Sequence, residues 1–295
     1  MRNLSGTSLV KMLALILGMV CAQSALAQSF KPVTVQGGAA LGQISSGGAS
    51  VWALGSNHHP YIYKKPQFVL ANTISLTQIA VGGGNVVQAD TVWGLDSDGR
   101  IYHAHKNGTS WVFSQVPGVL DFIAVGIGYQ DNCHPYEVWG LNPAASIFRY
   151  NFCVKNWDQV PGTLGTLAVG GGDIWGLNGD GSLFRFVFSL KGFFQEFTNC
   201  TQFAVGPTDV FALKTSYVWE VLADRPLESQ EVLNQVQAGG DGVWAIGLSK
   251  ALYRLDPGEY SFFMVPGDLV SISVGSGGGV WGLDTSGKPY VFTTP

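Results

Sequence analysis

Three arginines stand at one recurring point of the chain. Each follows an apolar residue and an aromatic residue, and the three are Arg149, Arg185 and Arg254. A guanidinium repeated beside aromatic side chains could donate hydrogen bonds to ligand hydroxyl groups. The same arginine could instead cover a strand edge with its stem, leaving its head in water or paired with a carboxylate. The residues leave both interpretations open.

A second candidate group lies between residues 127 and 137, in one of two long loop segments; the other spans 83–91. Aromatic and polar side chains suited to a neutral ligand are concentrated in the first segment, and they include Tyr129, Asn132, His134 and Tyr136. Long loops on a rigid scaffold are common sites of binding specificity. We therefore expect a binding surface here.

Signals for catalysis and metal binding are weak. The chain has no Gly-x-Ser-x-Gly, His-Glu-x-x-His or phosphate-loop motif. His103 and His105 lack an evident third ligand for zinc. Asp96 and Asp98 begin like a calcium loop, but its later ligands and final glutamate are missing. We therefore predict a protein that is not an enzyme and needs no metal or cofactor.

Composition restricts the class of partner and the class of fold. Only 12% of the 295 residues are charged and the net charge is −4, so a basic face for nucleic acid is not expected. The 40 glycines indicate many tight turns rather than long helices. An all-β fold without nucleic acid as a partner follows.

The first 27 residues have the layout of a secretory signal peptide. Basic Arg2 and Lys11 precede the apolar run 12–20, and the small residues around Ala27 suit a cleavage site. The run is too short for a membrane-spanning helix, which needs roughly 20 residues. We expect cleavage after Ala27 and a secreted or periplasmic protein with no membrane span.

A repeated aromatic phrase organises the rest of the chain. Its aromatic residue recurs at intervals of 33 to 46 residues, which is the period of propeller blades. Six anchors are tryptophans, and Phe211 takes the remaining place. The tryptophans are Trp52, Trp93, Trp139, Trp175, Trp244 and Trp281.

Each repeat divides into four short segments, here called strands a to d. Strand a ends in glycine, strand b holds the anchor, a polar turn leads to strand c, and strand d often ends in Val-Pro-Gly. This pattern predicts a seven-bladed β-propeller formed by residues 28–295 as one domain. The last repeat lacks strand d, so the N-terminal segment 30–37 is expected to supply it and close the ring.

In such a ring the anchor tryptophans lie inside apolar strands between neighbouring sheets. We therefore expect them to pack blades together rather than to stack on a ligand. The loop between strands a and b and the loop between c and d emerge on the same face. This geometry places Cys133 beside Cys153, and we predict that they form a disulfide in an exported protein, with Cys200 unpaired.

The combined phrases resemble the tectonin repeat. The resemblance rests on Ile-Ala-Val-Gly, Val-Trp-Gly-Leu, an apolar-aromatic-Arg triplet and Trp-x-x-Val-Pro-Gly, and it covers nearly all of the mature chain. It implies a lectin that recognises cell-surface glycans, O-methylated sugars or lipopolysaccharide sugars through several weak sites between blades, including the arginine position. Better-known members are similar to six-bladed rings, which makes six blades the alternative.

Two other functions remain open at this point. A scaffold without lectin activity could bind a protein through the loops 83–91 and 127–137. A propeller hydrolase would need acidic residues around the central channel, whereas strand a reads Ile-Ala-Val-Gly. The lectin is the favoured prediction.

Overall fold

The computed structural model describes residues 29–83, 89–127, 131–215, 217–277 and 279–293. Within them nearly all regular structure is β-strand. The strands are β1 (Ser29–Pro32), β2 (Thr34–Val35), β3 (Leu41–Ser46), β4 (Val51–Gly55), β5 (Pro60–Lys64), β6 (Gln67–Leu70), β7 (Gln78–Gly82), β8 (Thr91–Leu95), β9 (Arg100–Asn107), β10 (Ser110–Val119), β11 (Phe122–Gly126), β12 (Glu137–Leu141), β13 (Ser146–Asn151), β14 (Asn156–Thr163), β15 (Thr166–Gly170), β16 (Asp173–Leu177), β17 (Leu183–Val187), β18 (Gly192–Phe197), β19 (Cys200–Val205), β20 (Val210–Lys214), β21 (Tyr217–Glu220), β22 (Arg225–Leu227), β23 (Leu233–Gly239), β24 (Gly242–Gly247), β25 (Leu252–Asp256), β26 (Ser261–Val265), β27 (Ser271–Val274), β28 (Val280–Leu283) and β29 (Pro289–Thr293).

These strands form seven sheets that are the blades of a propeller. Blades 1 to 6 each take four consecutive strands, beginning with β3–β6 and ending with β23–β26. Blade 7 contains β27–β29 and is completed by β1. The predicted all-β, seven-bladed propeller is confirmed, and strands a to d follow one another as antiparallel neighbours in each blade.

The N-terminal strand closes the ring, but over a shorter range than expected. β1 pairs antiparallel with β29, from Ser29 opposite Thr293 to Pro32 opposite Tyr290. β2 then leaves blade 7 and runs parallel to β6 of blade 1. The expected strand d of blade 7 is therefore wrong for residues 34–37, of which residues 34–35 pair with blade 1. Val33 is buried between the two blades, and this burial favours the crossing of the chain from blade 7 to blade 1.

Each anchor is buried between its own blade and the next. The six tryptophans are at most 3% exposed, and Phe211 is also buried. Trp52 of blade 1 packs edge-on against Trp111 of blade 2, with ring centroids 4.7 Å apart. Trp281 of blade 7 packs edge-on against Tyr63 of blade 1 at 4.6 Å. Edge-on aromatic contacts thus help to join blades at both ends of the chain.

Steric crowding explains why strand a ends in glycine. A Cβ atom added to Gly82 or Gly126 would lie 2.6 Å from a backbone carbonyl oxygen of the next blade, belonging to Val125 or Val169. Gly170 meets Val205 in the same way at 2.9 Å. Neighbouring strands a therefore approach closely around the channel, and a side chain would hold them apart.

Glutamine side chains connect neighbouring blades around the channel. The amide of Gln43 donates to the carbonyl of Ile79 at 3.1 Å and accepts from its N–H at 2.9 Å. Gln78 bonds Ile123 in the same way at 3.0 Å in both directions. Each amide continues the backbone hydrogen bonding from one sheet to the next, an arrangement that the repeat pattern did not predict.

Replacing Trp52 by alanine should lower the free energy of unfolding by about 3–5 kcal/mol, because a fully buried ring is lost. Chemical denaturation measures the change. Leu70→Ala in the same blade is the control, since Leu70 is 40% exposed and should change stability by no more than about 0.5 kcal/mol. Equal effects of the two substitutions would contradict the packing role.

Gly126→Ala should destabilise the ring by about 1–3 kcal/mol, because its Cβ would overlap the Val169 carbonyl. Gly179→Ala is the matched control: nothing lies within 4 Å of its Cβ position. Thermal unfolding of both variants separates the interblade clash from the general effect of replacing glycine. A neutral Gly126→Ala would show that the strands can move apart freely.

Candidate functional site

Two positions in every blade surround the anchor and differ between blades. The entry position lies two residues before the anchor. The facing position is the strand-c residue that pairs directly with the anchor. From blade 1 to blade 7 the facing residues are Ile62, His103, Arg149, Arg185, Glu220, Arg254 and Val291. The three predicted arginines therefore occupy one structural position, as their spacing indicated.

Arg149 of blade 3 is held by a buried carboxylate at the entry position. Its Nε and one Nη donate to Glu137 at 2.8 and 2.5 Å. Glu137 is fully buried and also accepts the indole N–H of Trp139 at 2.7 Å. Burial raises the pKa of the Glu137 carboxyl, although the bonds and charge of Arg149 oppose that effect. The pair fixes the guanidinium while leaving other N–H groups for a ligand.

A cleft of about 1070 Å³ opens between blades 3 and 4 beside this arginine. Phe186 and Phe188 of blade 4 form an apolar wall, and the guanidinium carbon of Arg149 lies 5.3 Å from the Phe188 ring centre. Asp158 and Lys191 supply charged groups to the lining. The cleft therefore combines aromatic surface with hydrogen-bonding groups.

His134 lines the cleft and carries a polar atom without a partner among the described residues. Its Nδ1 lies 2.8 and 3.0 Å from the two carboxylate oxygens of Asp131, so we assign the proton of a neutral imidazole to Nδ1. The side chain is 10% exposed, and Nε2 is buried without a partner among the described residues. A buried acceptor without a donor is costly, and a ligand hydroxyl would satisfy it.

A disulfide holds the loop that carries His134. Cys133 and Cys153 are bonded at 2.01 Å, which confirms the predicted link between the a–b and c–d loops of blade 3. The backbone N–H of Phe152 donates to the Cys133 carbonyl at 2.9 Å. Cys200 is unpaired, as expected. It is also buried, and burial raises the pKa of its thiol to about 11 despite the nearby charge of Lys214.

The other predicted loop residues do not line the described cleft. Asn132 is exposed at the disulfide loop. Tyr136 faces blade 2, where its hydroxyl donates to the Ala89 carbonyl at 3.1 Å. Tyr129 lies outside the described residues, as do the signal segment and parts of both long loops. A carbohydrate-binding role for these three residues stays a prediction.

Arg185 repeats the blade 3 arrangement in a more exposed form. It donates to Asp173 at 2.8 to 3.2 Å, and the two side chains are 37% and 27% exposed. The indole N–H of Trp175 is buried without a partner among the described residues. Arg185 does not line the cleft beside Arg149.

His103 occupies the facing position in blade 2. Its ring stacks on Trp93 at a centroid distance of 4.5 Å, and Nε2 lies 3.2 Å from the Thr91 hydroxyl. That hydroxyl accepts the Trp93 indole N–H at 2.9 Å. Burial, helped by the charge of His105, lowers the pKa of His103 from 6.5 to about 4. This blade therefore carries a neutral imidazole where others carry arginine.

The lowered pKa of His103 predicts a pH dependence of folding. The fold favours the neutral ring, so its contribution to stability is present above pH 6.5 and is lost as the pH falls towards about 4. His103→Phe keeps the aromatic contact but cannot titrate. Unfolding measured between pH 7 and 4 should show a smaller acid loss in the variant, and parallel pH profiles would contradict this.

Among the described residues no group of three or more His, Cys, Asp or Glu side chains is arranged to hold a metal ion. The same described residues contain no helix long and apolar enough to cross a membrane.

The closed ring of seven blades defines a β-propeller with a cleft between blades 3 and 4. The tectonin domain model matches residues 27–203 and 199–295. The chain therefore belongs to the tectonin domain family. No curated protein sequence matches the chain significantly.

Solved structures with similar folds have low sequence identity to this chain. YCF48, described as bound to a D1 peptide, is 13% identical at a TM-score of 0.61, covering 91% of this chain and 97% of its own. Prp20p from Saccharomyces cerevisiae is 12% identical at 0.59, covering 85% and 81%. U3-55K is 9% identical at 0.59, covering 83% and 91%. At such identities the likeness concerns the fold alone.

Proposed function

We propose that the protein is an exported, non-catalytic lectin that binds surface glycans through clefts between its blades. The observation that carries the proposal is the cleft beside Arg149, which is lined by His134, a residue whose buried Nε2 has no partner among the described residues. A sugar presents hydroxyl groups that donate and accept together with an apolar ring face. The cleft presents the complementary set: a nitrogen acceptor, guanidinium donors and aromatic rings.

The paired side chains support this proposal because they prearrange the cleft. Glu137 holds the Arg149 guanidinium, Asp131 orients His134, and the disulfide restrains the loop between them. Little conformational freedom remains to be lost on binding, which favours even a weak ligand. Several such sites around one ring would act on a multivalent glycan surface with increased total affinity.

Export rests on the N-terminal segment, with support from the disulfide. A bond between Cys133 and Cys153 is stable in an oxidising compartment such as the periplasm or the extracellular medium. Glycans of cell surfaces, including O-methylated and lipopolysaccharide sugars, are the ligands that such a location would offer.

A glycan array tests the proposal with the intact mature protein. We expect binding to at least one neutral, O-methylated, amino-sugar or lipopolysaccharide glycan, and His134→Phe should weaken it roughly tenfold or more, because an acceptor is lost. His105→Phe is the matched control, since His105 is exposed on β9.

Thermal unfolding of both variants checks that the ring is intact. Failure to bind any glycan at high density would reject the lectin and favour the alternative, a scaffold whose rim binds a protein. Equal glycan binding by His134→Phe and His105→Phe would show that the glycan site is not in this cleft.

A further inference from the structure

The entry and facing positions of blade 6 form an incomplete pair. Blades 3 and 4 place a carboxylate at the entry position and an arginine at the facing position, and the two groups bond. Blade 6 keeps the arginine, Arg254, opposite Trp244, but its entry residue is Gly242. The carboxylate that neutralises the guanidinium in the other two blades is absent from this position.

Arg254 acquires no substitute carboxylate elsewhere. Among the ion pairs of the described residues, none includes Arg254. The adjacent Asp241 contributes its backbone carbonyl, which accepts the Trp244 indole N–H at 3.1 Å. In blade 7, the entry residue Gly279 and the facing residue Val291 are both uncharged. The local charge of Arg254 is therefore not balanced by direct contact.

Aromatic rings hold this guanidinium between blades 6 and 7. Its central carbon lies 5.5 Å from the ring centre of Trp244 and 5.8 Å from that of Phe292 in blade 7. Arg254 is partly buried, and a Cβ at Gly242 would be 3.9 Å from its Nε. In blade 3, one side of the guanidinium faces the carboxylate of the entry position. In blade 6, no side chain from the entry position occupies that side of Arg254.

We infer that Arg254 forms an anion-binding site between blades 6 and 7, where an oxyanion carried by a sugar replaces the missing carboxylate. The planar guanidinium matches a carboxylate or phosphate through two parallel hydrogen bonds. Phe292 supplies an aromatic surface beside that anion for the sugar ring. The sugar part rests on the proposed lectin function; the oxyanion part rests on Arg254 alone. This site is chemically distinct from the blade 3–4 cleft, where Glu137 already neutralises the arginine.

Titration calorimetry with the full mature protein tests the site with four probes: glucuronate, glucose 6-phosphate, glucose and inorganic phosphate. We expect the two acidic sugars to bind more tightly than glucose, and Arg254→Gln to weaken them roughly tenfold to a hundredfold. Arg100→Gln is the matched control, because Arg100 is already paired with Asp96 and Asp98 in blade 2. Unchanged acidic-sugar binding by Arg254→Gln would overturn the proposal.

A gain-of-function variant provides an independent test should Arg254→Gln fold poorly. Asp173→Asn removes the charge that neutralises Arg185 while preserving side-chain shape, so the protein should bind one additional acidic sugar. No additional site in a folded Asp173→Asn protein would contradict the idea that an entry carboxylate and a ligand anion compete for the arginine.

The probes also separate this inference from the lectin proposal. His134→Phe should leave acidic-sugar binding at Arg254 unchanged, whereas it should reduce binding in the blade 3–4 cleft. Inorganic phosphate that binds as tightly as glucose 6-phosphate, and depends on Arg254, would overturn the sugar part and leave a simple ion site. If acidic sugars bind but no neutral glycan on the array does, the site in the blade 3–4 cleft is rejected and the Arg254 site is retained.

Discussion

The burial of an aromatic anchor between neighbouring blades is the interaction on which the ring depends. Trp52 is covered by Trp111 of the following blade, and Trp281 is covered by Tyr63 after the chain has returned to its beginning. Because each blade must cover the anchor of the blade before it, an open row would leave an exposed tryptophan at one end. Pairing of β1 with β29 is therefore a requirement of the packing as well as a closure of the sheet.

The same packing leaves the chemically variable side chains at the edges of the blades. The faces of strands b are occupied by neighbouring sheets, whereas the entry and facing positions lie beside the grooves. These positions have diverged while the anchor has remained aromatic: Thr91 and His103 are neutral, Glu137 and Arg149 are paired, and Arg254 lacks an acid. One repeated framework thus presents chemically different grooves around a single ring.

Much of this arrangement could be predicted because repetition and alternation are local properties. The regular spacing of the anchors indicated blades, and the shared face of the a–b and c–d loops placed Cys133 next to Cys153. The path of the N-terminus was harder to predict. Residues 34–35 pair with blade 1 instead of continuing blade 7, because burial of Val33 between two blades is not encoded in the repeat.

By itself, the sequence determined the number of repeats, the buried anchors, the arginine position and the cysteine pair, since each follows from spacing within or between units. Tertiary structure decided which arginines are neutralised and which residues line a cleft. Glu137 lies 12 residues before Arg149 and is recognisable as its partner only once strands b and c are paired. The Nε2 of His134 is left without a donor by the packing of the chain around it, which no local sequence pattern indicates.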